Sequence, residues 1–123
     1  MPATILVVDD EPPLRRLMQA FLQRMGYEVV ICGDATTAHA EFDRQPGRFH
    51  LVVADLSLPD QPGQEMALAM LLRQPGLRIL LCSGYPFELE TLPEDCQWHF
   101  ASLQKPFVPS MLTSAVRELL KRD

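Results

Sequence analysis

Cysteine is scarce: Cys32, Cys82 and Cys96 make an odd count with no short metal-ligand spacing. Neither a disulfide framework nor a thiolate metal site is expected, and free thiols in a reducing cytoplasm are. His39, His50 and His99 are also too far apart in sequence to suggest a metal motif. No apolar run approaches the roughly 20 residues that cross a bilayer, and no charged segment leads into a signal-peptide core. A membrane protein is therefore not expected. Positive charge is short too, with eleven Lys+Arg against sixteen Asp+Glu and a formal charge of −5. The cations are scattered, apart from Lys121-Arg122, so no basic patch for direct nucleic-acid or membrane-surface binding is expected. Aromatics amount to 7%, yet 47% of the 123 residues are apolar, enough for one core. No repeat, linker or low-complexity segment divides the chain, so one domain over residues 1–123 is expected.

What is plentiful is proline, eleven residues in all, and short apolar runs that alternate with amphipathic stretches. Ile5 to Val8, Leu51 to Ala54 and Leu77 to Cys82 are nearly continuous apolar runs and read as strands buried on both faces. Tyr27 to Ile31 reads as a strand nearer an edge, and Phe100 to Gln104 as a last strand. Leu14, Leu17, Met18, Phe21, Leu22 and Met25 follow helical spacing, with Pro12-Pro13 in the first turn and Gly26 as the stop. Asp34 offers an N-cap for a second helix through about Gln45. A third helix is expected from about Pro62 to Gln74; its apolar run from Met66 to Leu72 reads as covered surface or a partner surface. Pro109 starts a last helix with Leu112, Ala115, Val116 and Leu119 on one stripe. Strand–helix alternation with five strands predicts an α/β fold, a doubly wound parallel sheet with helices on both faces.

In such a sheet ligands gather at the carboxyl ends of the strands. The first strand ends in Asp9-Asp10-Glu11, the third in Asp55, the fourth in Ser83-Gly84 and the fifth in Lys105-Pro106. Each fragment alone has a plain reading: an acidic helix start, a turn residue before Pro59, a turn signal, a solvated lysine. Together, several carboxylates on one rim repel each other unless protonated or bridged by a cation. Oxygen-only ligands favour a hard ion such as Mg²⁺. A carboxylate can then act as nucleophile, with a neighbouring ammonium and hydroxyl to hold the transferred oxygens.

Ile5-Leu6-Val7-Val8-Asp9-Asp10-Glu11-Pro12, then Asp55-Leu56-Ser57-Leu58-Pro59-Asp60 with Gly63, then Ser83-Gly84 and Lys105-Pro106-Phe107 resemble the receiver domain of bacterial two-component response regulators. The resemblance covers essentially the whole chain. It implies a CheY-like, flavodoxin-like strand order 2-1-3-4-5 and phosphorelay signalling. Asp55 would accept a phosphoryl group from a histidine kinase or phosphotransfer domain. Asp10, Asp55 and the backbone carbonyl of Ser57 would ligate Mg²⁺ or Mn²⁺, with Asp9 holding a metal-bound water or orienting Asp10. Ser83 would hydrogen-bond a phosphoryl oxygen, and Lys105, before a cis Lys105–Pro106 bond, would pair with Asp55 and then with the phosphate. Phosphorylation would switch binding to a downstream protein partner.

Two departures from the receiver pattern stand out. Three residues before the strand-five lysine, where receivers usually carry Tyr or Phe, stands Ser102; Phe100, on the same side by strand alternation, is a candidate replacement. The stretch for the fourth helix contains Pro93, which costs about 3 kcal/mol in a helix interior. At most one or two turns from near Pro86, followed by irregular chain, are predicted there. Trp98, Phe87 and Leu89 would pack that connection down or face a partner.

Two settings fit a receiver ending at Asp123: a stand-alone relay protein, or the receiver module of a hybrid sensor histidine kinase. The rival from another class is a phosphohydrolase that forms an aspartyl phosphate. It wants a second Asp two residues after the nucleophile, and Ser57 is there instead. A phosphoacceptor that assists only its own chemistry, not an enzyme, is expected.

Overall fold

Strands that are apolar at every position are buried only if both faces of their sheet are covered. The computed structural model describes residues 2–122. Its five strands are β1 (Thr4–Val8), β2 (Glu28–Cys32), β3 (Leu51–Asp55), β4 (Arg78–Ser83) and β5 (Phe100–Gln104). All pair in parallel in the order β2-β1-β3-β4-β5, so the apolar runs of β1, β3 and β4 lie inside and the more exposed β2 and β5 form the edges. This is the doubly wound sheet expected from the residue pattern, in the flavodoxin-like strand order that the resemblance implied.

Successive residues of each strand point to opposite faces and feed two cores. Ile5, Val7, Leu51, Val53, Leu80 and Cys82 pack with Met18 and Leu22 of α1 (Pro12–Arg24) and with Leu112, Val116 and Leu119 of α4 (Pro109–Lys121). Leu6, Val8, Val52, Ala54, Ile79 and Leu81 pack instead with α2 (Ala35–Arg44) and α3 (Gly63–Arg73). Asp34 accepts the Thr37 N–H and caps α2, and Pro12 and Pro109 open α1 and α4. Gly26 takes the left-handed backbone (φ 97°) after α1 that L side chains rarely adopt. Within the apolar run of α3, Met66, Ala67, Met70 and Leu71 are buried and Leu68 packs against the core. Most of that run is therefore covered; Leu72 alone stands out, 84% exposed.

No α-helix separates β4 from β5 among the described residues. Two 3₁₀ segments, Leu89–Thr91 and Glu94–His99, lie on either side of Leu92 and Pro93. The first turn begins at Leu89 rather than near Pro86, and a second 3₁₀ segment, Glu94–His99, stands where irregular chain was expected. Phe87, Leu89 and Cys96 lean on the core around buried Leu92, and two tight turns split by a proline aim these apolar groups inward. No helix of the described residues is long and apolar enough to cross a membrane.

Candidate functional site

Parallel register brings the strand ends to one rim: Val8 pairs with Cys32 and Ala54, Asp55 with Cys82, and Ser83 with Gln104. The residues that follow each strand are thereby juxtaposed where the strand order reverses, beside β1 and β3. Only four polar or charged residues are buried among those described, and three lie here: Asp9 (0% exposed), Asp55 (5%) and Ser83 (3%). Buried polar groups need partners, and these have them.

Lys105 Nζ is the centre of the arrangement. It donates to Asp55 Oδ2 and Asp9 Oδ2 at 3.1 Å each and to Glu11 Oε1 at 3.3 Å. The expected pairing of Lys105 with Asp55 is present, and two more carboxylates share the ammonium. Burial by itself would lower the Lys105 pKa; the hydrogen bonds and charges of Asp9 and Asp55 outweigh it and raise the pKa above the ordinary value. Burial pushes the Asp9 carboxyl up, opposed by the Glu11 N–H on Oδ1 (2.8 Å) and by Lys105. Asp55 Oδ1 accepts the Ser57 N–H at 3.1 Å. Ser83 Oγ accepts the Tyr85 N–H at 3.0 Å, which leaves its hydroxyl proton available to a ligand. The Lys105–Pro106 bond is cis, as the resemblance implied.

Asp9, Asp10, Glu11 and Asp55 each offer a carboxylate oxygen, all within 4.8 Å of one another. Four carboxylates thus face one ammonium, leaving uncompensated negative charge around two buried acids. That oxygen-only, carboxylate-rich donor set fits a hard divalent cation such as Mg²⁺. Asp10 is exposed at the rim, and Ser57 follows Asp55 at the start of the β3–α3 loop. Glu11 was not distinguished by sequence as a partner of Lys105. Its contact spans 94 residues of chain, which only the folded sheet brings together.

The support beneath the site was also less legible. Gly63 N donates to Leu56 O at 2.9 Å, and a Cβ on Gly63 would lie 2.0 Å from the Asp55 carbonyl oxygen, so only glycine fits. Asp60 reaches across to the start of α2. Bonds from the Thr36 hydroxyl, then from the Ala35 and Thr36 N–H groups, hold its carboxyl down to about 2. Ser102 is exposed and, with Ser83, Tyr85 and Phe87, lines a cavity of about 260 Å³. Phe100 does not reach it, being part of the core on the α2/α3 side. Cys82 is a core thiol, pushed up to about 12 by burial, and so unreactive. On the α1 side of the site, Leu14, Leu17, Pro106 and Phe107 line an open cleft of about 510 Å³ that Glu11 and Lys105 border.

Comparison with known proteins agrees with this geometry. A relative from Mycobacterium tuberculosis named "Probable transcriptional regulatory protein TcrX" is 31% identical over 98% of this chain. The sensor kinase CckA of Brucella abortus is 29% identical, again over 98% of the chain. The chain spans about half the length of the first (51%) and 13% of the second. Among solved structures, the response regulator TrrA of Thermotoga maritima in complex with Mg²⁺-BeF superposes with a TM-score of 0.78 at 28% identity. That match covers 95% of this chain and 98% of TrrA. The family description "Response regulator receiver domain" matches residues 5–117, nearly the length of the sheet and its helices. With that span and a rim whose acids converge on one lysine, this chain belongs to the response regulator receiver domain family.

Proposed function

We propose that the chain is a phosphoacceptor in two-component phosphorelay signalling, with Asp55 as the acceptor. One observation carries the reading: a nearly buried carboxylate at the end of β3, its outer oxygen 3.1 Å from Lys105 Nζ and its neighbours three further acids. An Asp55 oxygen forms the new O–P bond while the P–N bond to a donor histidine breaks and its electron pair returns to the imidazole. The donor is a histidine kinase or phosphotransfer domain, and the apolar cleft beside Lys105 and Phe107 offers it a surface.

Asp10, Asp55 and the Ser57 carbonyl would hold Mg²⁺ or Mn²⁺, with Asp9 acting through a water. The bound cation supplies positive charge for the phosphoryl oxygens among these carboxylates. Lys105 keeps its proton and turns its ammonium from Asp55 to the phosphoryl group. Ser83 donates its hydroxyl proton to another phosphoryl oxygen. The rearrangement of Ser83 and Lys105 then alters binding to a downstream protein. With Ser102 in place of a ring, that change does not pass through an aromatic at this position of β5. The reading concerns residues 1–123 as one receiver unit; the activity of any longer protein that contains them is a separate matter.

Incubation with Mg²⁺ and acetyl phosphate, followed by intact-protein mass measurement, tests the reading. A phosphoryl adduct is expected on the wild type and not on Asp55→Asn. No adduct on either would overturn it. Steady release of phosphate from small esters, lost in Asp55→Asn, would favour a phosphohydrolase instead.

A further inference from the structure

The loop between β3 and α3 bears directly on the metal site, because Ser57 both donates its N–H to Asp55 Oδ1 and supplies the carbonyl assigned to the cation. The base of this loop is closed. Gly63 N bonds to Leu56 O, Ser57 and Pro62 form an isolated antiparallel bridge, and the bare Cα of Gly63 sits against the Asp55 carbonyl. The tip is anchored elsewhere, on α2. Asp60 Oδ1 accepts the Ala35 N–H at 2.9 Å, and Oδ2 accepts the Thr36 N–H at 2.8 Å and the Thr36 hydroxyl at 2.6 Å. Gln61 Oε1 lies 2.9 Å from His39 Nε2, also on α2.

The first N–H groups of a helix need acceptors, and an anion there is favoured by the helix dipole. α2 already has a local cap, since Asp34 Oδ1 accepts the Thr37 N–H at 2.7 Å. Asp60 adds a second carboxylate to the same helix end from about 25 residues away, and its oxygens are charge-assisted acceptors for three donors. A local cap could only stabilise α2. This one also ties down the chain segment that positions Ser57 and the Asp55 carboxylate.

We infer that Asp60 is a positioning residue of the metal and phosphoryl site, clamping the β3–α3 loop onto the N-terminus of α2 so that Ser57 and Asp55 stay arranged for a divalent cation. This rests on the metal-binding reading above. Deleting the Asp60 contacts leaves the loop tip held on α2 by the Gln61–His39 contact alone, with every proposed ligand still in the chain.

The two capping acids provide the control. Mg²⁺ affinity is measured by calorimetric titration of the wild type, Asp60→Ala, Asp60→Asn and Asp34→Ala, with melting temperatures taken without metal. Both alanine variants lose a cap from the same helix end and should melt lower. Asp60→Ala should bind Mg²⁺ about tenfold more weakly, as when a partner of a metal ligand is lost, while Asp34→Ala stays within about twofold of the wild type. Asp60→Asn, which keeps an acceptor oxygen, should fall between them, and it carries the test if Asp60→Ala does not fold. In metal-free protein, the Ser57 amide should exchange faster in the Asp60 variants than in Asp34→Ala. Wild-type Mg²⁺ affinity in both Asp60 variants, or equal weakening by Asp34→Ala, would overturn the inference and leave the metal reading standing. A wild type that binds no Mg²⁺ would remove both.

Discussion

Lys105 holds one positive charge against three carboxylates, and its side chain is largely withdrawn from water. Removing a partner from a buried ion pair costs roughly 3–5 kcal/mol because the remaining charge is stranded. The lower end applies here, since Glu11 and the ammonium keep some contact with solvent. Lys105→Ala is therefore expected to lower metal-free stability. It also removes the cation that repels Mg²⁺ from the same oxygens. Mg²⁺ should then raise the melting temperature of Lys105→Ala by more than it raises that of the wild type, as a thermal melt with and without metal would read. Asp9, Asp10, Asp55 and Ser83 were legible as candidates because they follow apolar runs of strand length, and Lys105 because it follows the last expected strand. The sharing of Lys105 by Glu11 was not, because no local pattern records a contact made across the sheet.

At the scale of elements, the β3–α3 loop is where backbone packing and chemistry meet. Gly63 was legible only as part of a motif. Its reason is steric: a side chain would lie 2.0 Å from the Asp55 carbonyl oxygen and 3.0 Å from the Leu56 Cα, and both are backbone atoms with little room to yield. Gly63→Ala should destabilise by about 1–3 kcal/mol, the range for forcing extra atoms into a packed interior, as read from urea unfolding midpoints. It should also slow phosphoryl uptake from acetyl phosphate, because relief of the clash displaces Asp55. The connection between β4 and β5 was legible in another way. Pro93 announces a broken helix, and the two 3₁₀ segments around it follow from its missing N–H. The start at Leu89 was not legible, because burial of Leu92 beside Phe87 and Leu89 selects it.

Across the whole molecule, the two cores share one sheet, so loosening either face exposes the strands of the other. Trp98, the only tryptophan, reports on this from the end of the sheet opposite the acidic site. The Arg78 guanidinium of β4 lies 4.2 Å over its ring, and Arg78 Nη2 donates to the Arg122 carbonyl. Arg122 Nη1 in turn donates to the Trp98 and Phe100 carbonyls, joining β4, β5 and the end of α4. We propose that residues 1–123 unfold as a single cooperative unit. Urea transitions followed by Trp98 fluorescence and by far-ultraviolet circular dichroism should coincide; separate midpoints would count against one unit.

Apolar runs of strand length, helical stripes between them and proline or glycine at their ends were enough to determine the α/β class and where the four α-helices begin. The acids, serine and lysine that follow the strands pointed to the chemistry, because parallel strands deliver their carboxyl ends to one rim. What tertiary structure alone decided is which of those groups touch. Lys105 chooses Asp9 and Glu11 as well as Asp55, and Asp60 chooses the start of α2 over its own loop. Strand periodicity is a local property of neighbouring residues, whereas a hydrogen bond between distant segments depends on sheet register and on how closely two backbones approach. In this chain the strand order brings Lys105 to Asp9, Glu11 and Asp55, and the close approach of Gly63 to the Asp55 carbonyl closes the base of the loop that carries Asp60.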